Sequence, residues 1–148
     1  MADEVRVAIA CDADLVTARA EARAMAERLG FPRPDPTLIA TAISEVARNI
    51  VVHAGRGEIV LEPFEDADRY GLVVTATDEG PGIRDMDAAL RDDHSGRGGL
   101  GLGLPGARRL MDDFEIASDA DTGTTVTMRK WRHHDQLARL REERRRRG

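Results

Sequence analysis

The sequence predicts an α/β fold with two layers, in which helices cover a β-sheet. Apolar and polar residues alternate in five short segments, as they do in strands. Between the first two of these segments lie two long ones, each with apolar residues at helical spacing along one side. The chain of 148 residues has the length of one ordinary domain, and its 41% of apolar residues is enough for a core.

The amino-terminal segment predicts a strand followed by a helix. Apolar residues alternate over 5–9, which predicts the strand. Residues 12–29 predict a helix with Asp12 as its N-cap and Gly30 at its end. One side of this helix is apolar and is therefore expected to face the core: Leu15, Ala18, Ala22, Met25 and Leu29.

A second helix is predicted from residue 35 to about residue 54. Asp35 is its expected N-cap, Pro36 suits the first turn, and Gly55 follows its last residue. Beyond it the pattern predicts two hairpins with two helices between them. The predicted elements are strands over 58–64 and 70–77, a short helix over 85–90, a helix over 104–111, and strands over 115–118 and 124–130.

Charge divides the chain into a domain, residues 1–132, and a basic tail, residues 133–148. The chain carries a formal net charge of −5, of which six Arg and three acidic residues give the tail +3. The domain is therefore at −8, which argues against double-stranded nucleic acid as a partner. Aromatic residues amount to 3%, which also weighs against a base-stacking surface for single strands.

Counts of single residue types exclude several further classes. Lys130 is the one lysine, so neither a P-loop nor the strand lysine of common protein kinases is present. Cys11 is the one cysteine, which excludes an internal disulfide and a zinc cluster. No stretch approaches the roughly 18 apolar residues of a membrane span, and the acidic amino terminus is unlike a signal peptide. We therefore expect a cytoplasmic protein without a membrane partner.

Glu45 and Asn49 lie one turn apart on the second predicted helix and share one face with His53. An Asn amide oxygen is a hard ligand suited to Mg²⁺, and a Glu one turn earlier is a candidate general base. The alternative is a solvated polar stripe opposite the core. His53 by itself is better explained as structural.

Asp78 follows directly on a buried-looking strand and is succeeded by Gly80 and Gly82. One interpretation is a turn with a capping Asp. The other is a carboxylate at the mouth of a cleft, where the glycines let backbone approach a ligand closely. Such a carboxylate can accept a hydrogen bond from the exocyclic amine of adenine.

A glycine-rich segment, residues 96–106, leads into the predicted helix over 104–111. Backbone amides of such a loop, at a helix N-terminus, form an anion site. Gly101, Gly103 and Gly106 match G-x-G-x-x-G, but the motif follows a polar run instead of a strand, so it is not a dinucleotide fingerprint. A flexible linker is the alternative, although the apolar residues within the loop argue against it. Whether Ser95 and Arg97 contact phosphate is left open.

Taken in order, these segments resemble the GHKL superfamily of ATP-binding proteins. The order is E-x-x-x-N on a helix, D-x-G-x-G after a strand, a glycine-rich loop leading into a helix, and G-T-T. The resemblance implies a two-layer α/β sandwich of the GHKL (Bergerat) type, a mixed sheet with helices on one face, with residues 84–98 as the ATP lid. It matches Glu45 and Asn49 to the N box, Asp78, Gly80 and Gly82 to the first glycine box, Gly99, Leu100, Gly101, Leu102 and Gly103 to the second, and Thr124 or Thr125 to the adenine side.

The resemblance narrows to the RsbT-type switch kinases of bacterial stress signalling. Four segments carry it: AISEVARNIVVHAG, TATDEGPGI, GGLGLGLPGARRLMDDFEI and GTTVTMRKW. It covers residues 4–132 and nothing of the tail. Histidine kinases add a helical hairpin with a phosphoacceptor His that has no counterpart here. Anti-sigma kinases share the ATP site, but LGLPGARRLMD is more similar to the RsbT group.

The resemblance implies an ATP-dependent kinase that phosphorylates Ser or Thr in STAS-domain antagonist proteins and also binds a PP2C-type phosphatase. It implies that Asn49 holds Mg²⁺, Asp78 binds adenine, the glycine loop binds phosphates, and Glu45 orients or deprotonates the target hydroxyl. The alternative is a nucleotide-dependent binding switch without kinase activity. The sequence leaves open the partner, the stress signal, the oligomeric state and the role of the tail.

Overall fold

The computed structural model describes residues 3–67, 69–80, 103–119 and 123–132, together with residue 144. Over these residues the chain forms five strands and three helices. In chain order they are β1 (Val5–Ile9), α1 (Asp12–Arg28), α2 (Asp35–His53), β2 (Gly57–Glu65), β3 (Tyr70–Asp78), α3 (Gly103–Leu110), β4 (Asp113–Asp119) and β5 (Gly123–Trp131). The expected short helix over 85–90 and the tail other than residue 144 lie outside the described residues.

The start of α1 differs from the predicted one. Cys11 is the N-cap and Asp12 is already helical, so the assignment of Asp12 as the cap was wrong. The carboxylate that serves the helix start belongs to Asp14, whose Oδ2 accepts the N–H groups of Ala10 at 2.8 Å and Cys11 at 3.2 Å. Similarly, α2 is preceded by Pro34 as N-cap, with Asp35 and Pro36 inside its first turn.

The core lies between the two long helices and one face of the sheet. The predicted apolar side of α1 is buried there, apart from Leu15 and Leu29, which are partly buried. The apolar side of α2 is buried there as well, with Leu38 partly buried. Alternate residues of the strands complete it, because side chains along a strand point to opposite faces. The largest fully buried side chains are Ile9, Met25, Ile39, Ile43, Ile59, Leu61, Leu72 and Met128. The expected two-layer α/β architecture is confirmed.

The sheet has the strand order β1-β2-β3-β5-β4, and all four described pairings are antiparallel. The expectation of a mixed sheet was therefore wrong in this detail. The two helices between β1 and β2 bring the chain back to the end of the sheet where β1 ends. β2 starts there and therefore runs antiparallel to β1. β3 and β4 run in the same direction, but β5 lies between them, so the two parallel strands are not paired.

Five residues form one row across the sheet near one of its ends. The register pairs Ile9 with Gly57, Gly57 with Asp78, Asp78 with Thr124, and Thr124 with Ser118. Asp78, Thr124 and Ser118 are thus neighbours on three adjacent strands. This row places three polar side chains next to one another on the face that the helices cover.

At the opposite end of the sheet, one cationic side chain of β5 and one that directly follows it cap the C-termini of two helices. Lys130 Nζ donates to the carbonyl oxygen of Leu110, the last residue of α3, at 2.9 Å. Arg132 Nη1 donates to the carbonyl oxygen of Leu29, the C-cap of α1, at 2.7 Å, and its guanidinium lies over the Tyr70 ring. A cation at this position also interacts favourably with the helix dipole.

None of the helices in the described ranges is both long enough and apolar enough to cross a bilayer.

Candidate functional site

Asp78 ends β3 as a buried carboxylate, 9% exposed. Its Oδ1 accepts the backbone N–H of Gly80 at 2.9 Å and of Thr124 at 3.3 Å. Two backbone donors therefore orient the carboxylate through one oxygen. Among the described residues both bonds end on Oδ1, so Oδ2 keeps its capacity to accept a hydrogen bond from a ligand.

Gly80 is required by its contact with the end of α2. A Cβ built on Gly80 would lie 2.5 Å from Cβ and 2.8 Å from Cα of Ala54. A side chain at this position would push the turn away from the helix, and with it the N–H that holds Asp78. The glycine thus fixes the distance between the Asp78 carboxylate and α2, the helix that carries Glu45 and Asn49.

The structure separates the two threonines of the G-T-T segment. Thr124 lies beside Asp78 and is 4% exposed, whereas Thr125 is exposed on the other face of the sheet. Alternation along β5 explains the difference. Only Thr124 is therefore placed to approach a ligand bound at Asp78. Its hydroxyl lies 2.9 Å from the hydroxyl of Ser118 on β4.

Glu45 is a buried carboxylate on α2, 7% exposed, so the alternative of a solvated polar stripe was wrong for this residue. Its Oε1 accepts the backbone N–H of Gly103, the first residue of α3, at 2.7 Å. The first N–H groups of a helix have no partner within the helix, and the helix dipole favours an anion there. Glu45 is thus held, as a hydrogen-bond acceptor, at the N-terminus of α3.

Gly103 adopts a φ of +57°, in the left-handed region that favours glycine. In this conformation Gly103 begins α3 with its N–H directed at Glu45. The contact joins α2, which carries the candidate catalytic residues, to the last residue of the candidate phosphate loop.

Asn49 lies one turn after Glu45 on α2 and is half-buried, and His53, a further turn along, is exposed. The structure therefore brings Glu45 and Asn49 together at one helix face and leaves His53 at the surface.

The donor set fits a magnesium ion that arrives with a nucleotide. The described residues contain no group of three His, Cys, Asp or Glu side chains that could hold a metal ion by itself. Mg²⁺ commonly takes one or two protein ligands and completes its shell with phosphate oxygens and water. The amide oxygen of Asn49 suits this mode.

Several predicted site residues lie outside the described residues. These are Gly82 of the first glycine box, Gly99, Leu100, Gly101 and Leu102 of the second, and the lid residues Ser95 and Arg97. Their roles stay predictions.

Two features of the site were missed from the sequence. One is the hydrogen bond from Gly103 to Glu45, which joins residues 58 positions apart. The other is Ser118, whose place beside Thr124 depends on the register of β4 against β5. A polar residue on the otherwise apolar inward face of β4 was the available signal for Ser118, since Phe114 and Ile116 share that face.

Fold and site together define an ATP-binding domain of the histidine kinase type. A family model described as "Histidine kinase-like ATPase domain" matches residues 9–130. The serine/threonine-protein kinase RsbT of Bacillus subtilis (strain 168) is 46% identical over 131 residues, which are 88% of this chain and 98% of that protein. The anti-sigma F factor of Thermoanaerobacter sp. (strain X514) is 30% identical over 108 residues, 66% of this chain and 74% of that protein. The chain belongs to the histidine kinase-like ATPase family and, within it, to the group of RsbT-type serine/threonine-protein kinases.

Proposed function

We propose that the protein transfers the γ-phosphoryl group of ATP to a serine or threonine hydroxyl of a STAS-domain antagonist protein, in a bacterial stress-signalling partner switch in the cytoplasm. The observation that carries this proposal is the position of Glu45, a buried carboxylate one helical turn before Asn49. It accepts a hydrogen bond from the N–H of Gly103. The similarity to RsbT supports the reaction class.

Three parts of the site bind three parts of Mg-ATP: the adenine base, the phosphates and the metal ion. Asp78 accepts, at Oδ2, a hydrogen bond from the exocyclic amine of adenine. The amides of the glycine-rich segment bind phosphate oxygens near the N-terminus of α3, where the N–H of Gly103 itself is donated to Glu45. Asn49 contributes an oxygen ligand to the Mg²⁺ that neutralises phosphate charge.

Glu45 acts on the protein substrate. The target hydroxyl attacks the γ-phosphorus, the bond from that phosphorus to the β–γ bridging oxygen breaks, and ADP leaves with the electron pair. The hydroxyl proton passes to Glu45. Oε1 already accepts the N–H of Gly103, so Oε2 is the oxygen that receives the proton. Phosphoryl transfer requires mainly positioning and charge neutralisation, which this set of groups supplies without a phosphate-binding lysine.

A second candidate function is a nucleotide-dependent switch that binds its partner without phosphorylating it. The similarity to anti-sigma F factors favours this possibility, because their name describes a protein that acts on a sigma factor. A PP2C-type phosphatase is a candidate partner in either case. The two functions differ in whether the Glu45 carboxylate is needed.

The test is incubation of the full chain with Mg²⁺, ATP labelled in the γ-phosphate, and the STAS-domain protein encoded nearest to it. The expected result is label on one Ser or Thr of the STAS domain. The matched control is the same STAS-domain protein with that residue replaced by Ala, which should stay unlabelled. A nucleotide-dependent complex without label transfer supports the binding switch and contradicts the kinase.

A further inference from the structure

Two large apolar side chains are exposed among the described residues, and both lie on the helical layer. Val16 of α1 is 69% exposed and Val52 of α2 is 65% exposed. A single exposed apolar residue is ordinary on a protein surface, so its position decides whether it has a role. Both positions are close to Glu45.

Val52 lies on the same side of α2 as Glu45. Thr37, Thr41, Glu45 and Val52 follow one another at spacings of four, four and seven residues, which places them on one stripe of the helix. Val52 comes seven residues after Glu45 and is therefore about 10 Å farther along the helix axis. The stripe thus has the candidate catalytic carboxylate in its middle and an exposed apolar side chain at its end.

The two long helices lie side by side and run in opposite directions. Ile9, the last residue of β1, pairs with Gly57, the first residue of β2, so α1 begins and α2 ends at the same end of the sheet. Arg23 Nη2 of α1 donates to the Thr37 hydroxyl of α2 at 2.9 Å. The side of α1 that carries Arg23 therefore borders the stripe of α2 that carries Thr37.

Val16 lies beside Glu45 on the neighbouring helix. It is seven residues before Arg23 and so shares the side of α1 that borders the stripe. Because the helices are antiparallel, the same step of seven residues from Thr37 leads to Ser44, the neighbour of Glu45. Val16 is thus level with the catalytic part of α2, and Val52 lies two turns along it.

A protein substrate that reaches Glu45 has to cover both valines. A specific interface buries about 800 Å² on each partner, which is a patch about 30 Å across. Packed helices are about 8–10 Å apart, so Val16 and Val52 both lie within such a patch centred on Glu45.

The charged residues around Val16 are of both signs. Asp12 and Arg19, each one turn from Val16 on α1, are exposed. Apolar side chains surrounded by a polar, charged rim are the usual composition of an interface between proteins. The surface therefore fits a partner that presents apolar side chains at its centre.

We propose that Val16 and Val52 form the docking surface for the protein substrate, where they contact apolar side chains that flank the phosphorylated Ser or Thr of the STAS-domain protein. This inference rests on the proposed function. It goes beyond that function in assigning recognition of the substrate to two residues outside the ATP site.

The measurement is the KM for the STAS-domain protein in Val16→Gln and Val52→Gln, with Mg-ATP saturating. Gln is neutral and a better helix former than Val, so the melting temperature should not fall. Each variant should raise KM by about 5- to 30-fold, the range for loss of a well-buried interface contact. The kcat at saturating substrate and the dissociation constant for Mg-ATP should stay at the parent values.

Two further sets of variants control for the substitution itself. Val16→Ile and Val52→Ile retain an apolar side chain and should keep KM near the parent value. Ala117→Gln places the same polar side chain at an exposed position of β4, on the face of the sheet opposite the helices. It should leave KM unchanged.

The outcomes separate this inference from the function on which it rests. A parent protein that phosphorylates the STAS domain, with unchanged KM in either Gln variant, overturns the inference and leaves the kinase intact. Weaker binding of Mg-ATP in the Gln variants assigns the valines to the nucleotide site and also overturns it.

A STAS-domain protein that is bound but not phosphorylated contradicts the kinase and still tests the surface. The dissociation constant of the complex then replaces KM, and weakening by about 5- to 30-fold supports the role of the valines. A parent protein that neither binds nor phosphorylates the STAS domain overturns both the function and the inference.

Discussion

Buried charged side chains hydrogen-bond both ends of helix α3, but we assign catalysis to the one at the N-terminus and stability to the one at the C-terminus. At its N-terminus, Glu45 of α2 accepts the N–H of Gly103. At its C-terminus, Lys130 of β5 donates to the carbonyl oxygen of Leu110. Each charge has the sign that the helix dipole favours at that end.

The two ends differ in the number of partners that the charged side chain has among the described residues. Lys130 lies 3.9 Å from the Asp112 carboxylate, whose Oδ2 accepts the N–H of Trp131 at 2.7 Å, so anion and cation lie close together. Glu45 engages one oxygen within the described residues and is followed one turn later by Asn49. The same kind of contact thus caps the helix at its C-terminus and holds the proposed catalytic carboxylate at its N-terminus. Substitutions at the two ends should separate stability from chemistry.

The largest expected effect comes from Glu45→Gln. An amide is not a base, so phosphoryl transfer to the STAS-domain protein should fall by about 10²–10⁴-fold, the usual contribution of a positioned general base. Gln keeps an oxygen for the N–H of Gly103, so the melting temperature and ATP affinity should stay near the parent values. Rate measurement with labelled ATP, together with calorimetry, checks both.

Glu45→Ala is the matched variant for that comparison. It removes the acceptor as well as the base, so it should lose transfer to the same degree and also lower the melting temperature. Transfer at the parent rate in Glu45→Gln would show that Glu45 serves only the fold.

Asp78→Asn should lower the affinity for ATP by about ten-fold or more. Asn keeps an oxygen for the N–H groups of Gly80 and Thr124, but its amide nitrogen replaces the free acceptor and leaves an adenine amine unpaired, at a cost of about 1–3 kcal/mol. Titration calorimetry at unchanged melting temperature is the measurement. Unchanged ATP binding would remove Asp78 from the site.

Lys130→Met should lower the free energy of unfolding by about 1–3 kcal/mol, because the carbonyl oxygen of Leu110 loses its charged donor. ATP affinity should be unaffected, which is the converse of the Asp78 result. Arg129→Met is the control: Arg129 has a 3.6 Å ion pair with Glu115, whose side chain is 71% exposed, and such pairs contribute about 0–1 kcal/mol. Equal denaturant midpoints for the two variants would contradict the role of Lys130 at the helix end.

A smaller, pH-dependent effect is expected at the start of α1. The N–H of Ala10, and next that of Cys11, hydrogen-bond the Asp14 carboxylate and lower its pKa below the ordinary value. The carboxylate therefore stabilises the fold above the ordinary pKa of Asp, and this contribution is lost as pH falls through the lowered pKa. The melting temperature of the parent should exceed that of Asp14→Asn at pH 7, and the difference should vanish in acid. A difference that persists in acid would assign it to another cause.

The smallest effect is expected from removal of the tail. A chain that ends at Arg132 should bind Mg-ATP like the full chain and keep its melting temperature, because it retains the capping contacts of Lys130 and Arg132. Any loss should concern partner association at low salt, where exposed charges are least screened. A chain that ends at Arg129 lacks both caps and should be clearly less stable. A large loss in the first truncation would place the domain boundary beyond residue 132.

The elements of the fold were predictable because each depends on local pattern. The strands and both long helices lie within one or two residues of their predicted positions, since apolar periodicity and glycine or proline at the ends determine them. The N-cap of α1 was not predictable, because Asp12 and Asp14 are both acidic. The extended backbone at Cys11 decides which of the two carboxylates faces the N–H groups of Ala10 and Cys11.

The features that could not be predicted from the sequence depend on which strands become neighbours in the sheet. The insertion of β5 between β3 and β4 makes the sheet antiparallel throughout the described pairings, and no local pattern shows it. The choice between Thr124 and Thr125 required the exact start of β5, because a shift of one residue exchanges the two faces. The role of Lys130 was invisible for the same reason, since its partner, Leu110, lies on another element.

The hydrogen bond between Gly103 and Glu45 also gives the molecule a built-in spectroscopic reporter. An N–H that donates to a carboxylate at 2.7 Å is short and charge-assisted, so its NMR proton resonance should lie downfield of ordinary loop amides. Glycine amide nitrogens occupy a sparse region of the spectrum, which makes this signal easy to follow. Loss of the contact with Glu45 would move the resonance upfield, so one signal reports in solution whether Gly103 and Glu45 stay hydrogen-bonded, without any label on the substrate.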